Sequence, residues 1–142
     1  MMAKPVPIGA RGECEETVSF ENTLSFHHPE LPPVYSTPDM IRLMETAAFL
    51  ALQPYCDKGE ITVGTAINVE HRAASGVGTR IRAEASLESW DGKYYVMRVR
   101  AVELGPDGAE KTEIGRGTVH RAVIDVARFL SRVQQSPSGN PA

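Results

Sequence analysis

Three residues in the first half of the chain, Thr37, Glu45 and His71, have the types and surroundings for acid–base or nucleophilic chemistry. Glu45 stands between Met44 and Ala47-Ala48 in an apolar run that reads as a buried helix. A carboxylate there is costly unless it is hydrogen-bonded, paired with a cation such as Arg42, or set in a working cleft. His71 closes a stretch of alternating residues, and strand parity places it with Val63, Ile67 and Val69 on an apolar face. A histidine so placed is either a satisfied core residue or, with a carboxylate to fix its tautomer, a proton shuttle. Thr37 lies where that helix begins. Its hydroxyl suits an N-cap, and it also suits a position where developing negative charge is stabilised by the helix dipole. As a nucleophile it would need an adjacent base. Thr37 and Glu45 are eight residues apart, about 12 Å along a helix axis and roughly 80° around it. One carbonyl is hard to reach from both, so a shared site is expected either to be completed across a dimer or to use Thr37 through water or His71.

Other positions carry weaker signals. Gly64 falls inside a strand pattern, where glycine marks a bulge or a close approach to the backbone; Gly115 and Gly117 do the same in the last strand. His120 and Arg121 occupy opposite faces of that strand, so at most one of them faces a given pocket. His27 and His28 sit among Pro29, Pro32 and Pro33 and read as loop residues.

The elements that must position these groups follow in order. Apolar residues at period two, Val18, Phe20, Leu24 and Phe26, predict a first strand over 15–26. A proline-rich loop follows. Ser36 or Thr37 as N-cap, Pro38 in the first turn and Asp39 at the positive end of the dipole predict a helix start, with the capping-box spacing between Ser36 and Asp39. Met40, Met44, Ala47, Ala48 and Ala51 recur at spacings of three and four, and Pro54 ends the helix after about 15 residues, roughly 22 Å. The helix is apolar almost all round, which predicts burial. Strands are expected over 61–71, 79–87, 93–104 and 113–124. Asp91-Gly92 is a hairpin signal, and Asp125 caps a short closing helix. One strand, one buried helix and an antiparallel meander of four make an α+β chain whose sheet must curl around the helix, the hot-dog arrangement. The open edge strand predicts edge-to-edge pairing of two copies.

Bulk properties agree with one soluble domain. The chain has 142 residues, 42% hydrophobic and 23% charged, enough for a core without staples. We expect a loose arm over 1–13, the folded domain over 14–135 and a disordered tail over 136–142. A net charge of −3 argues against nucleic-acid binding. Cys14 and Cys56 are too few and wrongly spaced for a disulfide framework or metal site, as expected of free thiols in the cytoplasm. No apolar run suits a signal peptide or membrane span.

Taken together, three motifs resemble the fluoroacetyl-CoA thioesterase-like family. They are Tyr35-Ser36-Thr37-Pro38-Asp39-Met40 with Met44-Glu45-Thr46-Ala47-Ala48, then Thr62-Val63-Gly64-Thr65 leading to Val69-Glu70-His71-Arg72-Ala73-Ala74, and finally Gly115-Arg116-Gly117-Thr118-Val119-His120-Arg121-Ala122-Val123-Ile124-Asp125. The resemblance spans roughly residues 17–132. It implies a hot-dog acyl-CoA thioesterase, dimeric or tetrameric, acting without metal or redox cofactor, CoA being part of the substrate. It implies catalytic roles for Thr37, Glu45 and His71, and substrate contacts at the Gly64 backbone and Arg121. The family's fluoroacetyl-specific enzyme carries a phenylalanine lid before the helix. Here that segment reads Phe26-His27-His28-Pro29-Glu30-Leu31-Pro32-Pro33, so a different small acyl group is expected. Two other readings stand beside this one. A hot-dog hydratase or dehydratase would pair an Asp or Asn with a His near the helix start, where Asp39 and the loop histidines are the candidates. A non-catalytic acyl-CoA sensor would need the pocket but not the three residues.

Overall fold

The computed structural model describes residues 5–135. Five antiparallel strands form one sheet in the order β1-β3-β4-β5-β2. They are β1 (Arg11–Thr17), β2 (Glu60–His71), β3 (Arg80–Trp90), β4 (Tyr95–Leu104) and β5 (Glu110–Asp125). The long helix α2 (Thr37–Leu52) lies in the sheet's concave face, mainly against β1 and β3. A one-turn helix α1 (Leu24–His27) precedes it, and α3 (Val126–Gln135) closes the described chain.

The apolar stripe foreseen on α2 is buried in full: Met40, Met44, Ala47, Ala48 and Ala51, with Leu43 and Leu52. Small residues bring helix and sheet together. A Cβ on Gly12 would fall 2.4 Å from the Ala47 carbonyl oxygen, so only glycine allows β1 this close. The helix is not enclosed all round, however. Arg42, Thr46 and Leu50 face outward, and Thr37, Ile41, Glu45 and Phe49 line a half-open side beside β2. Meander positions behave as their alternation predicts: Ile81, Ala83, Ala85 and Leu87 on β3, and Tyr95, Met97, Val99 and Ala101 on β4, are buried. The hairpin between them turns at Gly92 with φ 98°, and the Asp91 carboxylate accepts from the Lys93 and Tyr94 amides. Asp125 caps α3 by accepting from the Arg128 amide at 3.0 Å.

Two expectations fail near the N-terminus. The first strand starts earlier and stops earlier than 15–26. It begins at Arg11, so residues 11–13, placed in the arm by composition, pair with β3 opposite Ser86, Ala85 and Glu84. It ends at Thr17, because Ser19, Asn22 and Thr23 spend their side chains on turn hydrogen bonds. Phe20 and Phe26, read as inward-facing, are about half exposed. Residues 1–4 and the tail 136–142 lie outside the described residues.

The third correction concerns β2. A register shift between Gly64 and Ala66 places a bulge at Thr65 and reverses strand parity there. Beyond the bulge, Ile67, Val69 and His71 lie directly opposite Val119, Gly117 and Gly115 on the helix-facing side. Before it, Thr62 and Gly64 take that side, and Ile61 and Val63, expected to share a face with His71, turn to the other.

Candidate active site

Thr37 is the first residue of α2, and Ser36 is the N-cap. The Ser36 hydroxyl oxygen accepts from the Asp39 amide at 3.1 Å and donates to the Asp39 carboxylate at 2.6 Å. Asp39 also accepts from Asn22 Nδ2 at 3.1 Å and lies 3.5 Å from Arg42 Nε. Of the two N-cap candidates Ser36 takes the role, which leaves the Thr37 hydroxyl unspent. Its Oγ1 sits 2.8 Å from His71 Nδ1, at the end of β2. Tyr35 anchors the approach to the helix. It is buried, its amide donates to the Ser75 carbonyl at 2.8 Å, and its hydroxyl donates to Glu16. Arg42 donates to the same Glu16 carboxylate at 2.6 Å.

His71 Nε2 is buried without a hydrogen-bond partner among the described residues. Burial lowers the imidazole's pKa below its usual value, and the Ala73 backbone opposes the shift without cancelling it. The ring is therefore neutral at neutral pH, and its Nδ1 can accept the Thr37 proton. A cleft of about 230 Å³ opens on this pair, lined by Leu24, Val34, Tyr35 and Ala73 together with Thr37 and His71.

Two helical turns further along α2, Glu45 is held by a partner 76 residues away in sequence. Arg121 Nη1 donates to Glu45 Oε1 at 2.8 Å. Arg121 is only 6% exposed, and two more of its donors go to β2: Nε to Thr62 Oγ1 at 2.8 Å and Nη2 to the Thr62 carbonyl at 2.6 Å. The other carboxylate oxygen, Oε2, lies over Gly64, where an added Cβ would fall 2.0 Å from it. Glu45 thus pairs with Arg121, not with Arg42. The close approach foreseen at Gly64 is occupied by the carboxylate itself. Three of the Arg121 donors bind Glu45 and Thr62, which ties the guanidinium to the carboxylate and to β2.

The three expected residues therefore fall into two groups on the half-open side of α2, Thr37 with His71 and Glu45 with Arg121 over Gly64. Thr62 is a member that sequence reasoning missed. Unbroken parity turns it away from the helix, and its burial arises only from the bulge. His120 lies on the opposite face from Arg121, as expected, and is half-buried. His27 and His28, read as loop residues, are exposed, but His27 ends α1 and His28 is its C-cap. Cys14 and Cys56 are free, and burial pushes the Cys14 thiol up to about 11, which denies it thiolate character at neutral pH.

A sheet curled around one long helix defines the hot-dog fold, here with a hydroxyl–imidazole pair and a helix-borne carboxylate on the helix's open side. Comparison with known proteins agrees. The family described as fluoroacetyl-CoA-specific thioesterase matches residues 18–127, and the chain belongs to that family. Over 111 residues it is 41% identical to the fluoroacetyl-CoA thioesterase of Streptantibioticus cattleyicolor, covering 78% of this chain and 76% of that protein. A solved structure of fluoroacetyl-CoA thioesterase superposes with TM-score 0.80 at 35% identity, covering 94% of this chain and 100% of the other. A Thermus thermophilus hypothetical protein of the thioesterase superfamily superposes with TM-score 0.82 at 27% identity, covering 93% of each chain.

Proposed function

We propose that the chain hydrolyses a small acyl-CoA thioester to the free acid and CoA, with Thr37, His71 and Glu45 as its catalytic residues. The observation that carries this reading is the 2.8 Å contact between the Thr37 hydroxyl and His71, on the same open side of α2 as a fixed carboxylate. Hydrolysis adds a water oxygen to the carbonyl carbon, breaks the carbon–sulfur bond and returns one proton to the CoA sulfur. The thiolate is a good leaving group, its pKa being near 8.5, so the main task is activating the attacking oxygen. Glu45 Oε2, its twin oxygen tied to Arg121, is the group to take the water's proton or to attack the carbonyl itself. His71 relays a proton through the Thr37 hydroxyl, and the start of α2 favours the negative charge that builds on the carbonyl oxygen. We assign no metal or redox cofactor, CoA being part of the substrate, and expect activity to survive EDTA.

The hydratase reading is not favoured: Asp39 is spent on the helix cap, and His27 and His28 are exposed and outside the cleft. The sensor reading gives no account of the Thr37–His71 pair or the Glu45 clamp.

The working unit in this proposal is a homodimer. Strand β2 is a sheet edge whose middle, residues 64–68, is exposed, with Ile67 48% accessible. An edge that open, carrying a large apolar residue, suits isologous pairing with β2 of a second copy. Such pairing would wall the open side of α2 and bring the two groups into one cleft. No described helix is long and apolar enough to cross a membrane. We place the enzyme in the cytoplasm, where acyl-CoA substrates are met.

The test is release of CoA thiol from a panel of acyl-CoAs, with Glu45→Gln and His71→Ala alongside. Hydrolysis by the parent protein and its loss in both folded variants supports the site. Binding without cleavage across the panel would transfer the protein to the sensor class. Light scattering gives the oligomeric state, and a monomeric Ile67→Lys variant with full activity would refute the dimer.

A further inference from the structure

Thr62 is 1% exposed in the interior of β2, where valine has the same shape, forms strands well and brings no polar atom to bury. A buried hydroxyl needs a use, and this one has a specific one. Arg121 lies directly opposite Gly64 in the β2–β5 ladder, and its side chain reaches back to Thr62, two residues along the partner strand. The Nε–H and Nη2–H groups form one edge of the guanidinium, and Thr62 meets both, the first with its hydroxyl at 2.8 Å and the second with its carbonyl at 2.6 Å. Two parallel hydrogen bonds on one edge of a planar group fix the plane itself. Nη1, on the opposite side, is then aimed at Glu45 Oε1 at 2.8 Å. With Oε1 held, the carboxylate can swing only by leaving Arg121, and Oε2 stays over Gly64.

We propose that Thr62 is a positioning residue that seats Arg121 and thereby fixes which oxygen of Glu45 faces the reacting carbonyl. The inference rests on the thioesterase reading for its effect on rate, but the seat itself stands on hydrogen bonds within the chain.

Three variants test this. Thr62→Val keeps the shape and strips the hydroxyl, leaving Nε–H buried without a partner. Its kcat is expected to fall roughly 10–100-fold with KM nearly constant, because a misplaced carboxylate affects the reacting geometry more than binding. Thr62→Ser restores the hydroxyl and should recover kcat to within about threefold of the parent, beyond what a packing role would give. Thr62→Ala is measured in the same way and keeps the test intact if the valine variant folds poorly. A second readout does not depend on activity. The Arg121 Nε–H resonance, assigned by its disappearance in Arg121→Gln, should exchange slowly with water in the parent and serine proteins and at least about tenfold faster in the valine variant. If the parent hydrolyses no acyl-CoA while this protection pattern holds, the functional reading fails and the seat stands. A valine variant with unchanged protection, or with kcat within twofold of the parent, overturns the proposal.

Discussion

Gly64→Ala probes directly the Glu45 carboxylate proposed to react. Gly64 has no left-handed backbone, so the strand itself tolerates a side chain. The obstacle is Glu45. The new methyl carbon would lie 2.0 Å from Oε2, 3.0 Å from Cδ and 3.3 Å from Oε1, whereas ordinary contact begins at about 3.4 Å. Relief from 2.0 to about 3.4 Å asks Oε2 to retreat by about 1.4 Å. A flexible carboxylate makes that move more easily than a paired strand does, so Glu45 yields and the 2.8 Å bond to Arg121 is stretched or broken. A misplacement of about 1 Å costs on the order of 10²-fold in rate, or about 2.7 kcal/mol of barrier. Stability changes less. Leaving Arg121 Nη1 unsatisfied costs about 1–3 kcal/mol, and replacing glycine returns about 0.4–1 kcal/mol through the unfolded chain. The net is a Tm lowered by several degrees, about 3–4 °C per kcal/mol for a domain of this size. Acyl-CoA hydrolysis and a thermal melt measure both. A variant with kcat within about threefold of the parent would refute the idea that Glu45 acts from its place over Gly64.

Three further outcomes follow from the same geometry. Thr37→Val should lower kcat by about 10²-fold while costing no more than the roughly 1 kcal/mol of the lost His71 hydrogen bond, because Ser36 and not Thr37 caps α2; a melt showing a loss of about 2 kcal/mol or more would restore Thr37 to the cap. Burial lowers the pKa of His71, so folding favours the neutral ring. Its contribution to stability is full above about pH 6.5, the unfolded value, and is lost as pH falls through the lowered folded value. Activity should decline over the same acidic window, and His71→Gln should flatten the acid side of a Tm-against-pH series. Tyr35→Phe removes the hydroxyl that donates to Glu16 beside Arg42, and should cost about 1.5–3 kcal/mol in a denaturant titration. An unchanged midpoint would show the Glu16 network to be dispensable.

Local signals were strong in most of the chain. The α2 stripe, the Asp91-Gly92 turn, the Asp125 cap and the alternation of β3 and β4 each depend on residues within a few positions of one another, so they can be read from the sequence. The misreading of 15–26 arose because Val18, Phe20, Leu24 and Phe26 keep a strand's period by coincidence. Ser19, Asn22 and Thr23 meanwhile bind nearby groups and turn the chain.

The residue types and order of the site, a threonine at a helix start, a glutamate within it and a histidine at a strand end, were set by sequence alone, as was the family they mark. Which of them meet was decided in three dimensions. Gly64 and His71 are seven residues apart, an odd number that puts them on opposite faces of a regular strand. Only the bulge at Thr65 brings both to the helix side. That same reversal turns Thr62 inward, where Arg121, 59 residues later, can reach it and still grip Glu45. Parity is a local rule, and a single unpaired residue in a ladder overrides it. Where that residue falls depends on how β5 pairs with β2, a contact between distant segments that no short window of sequence contains.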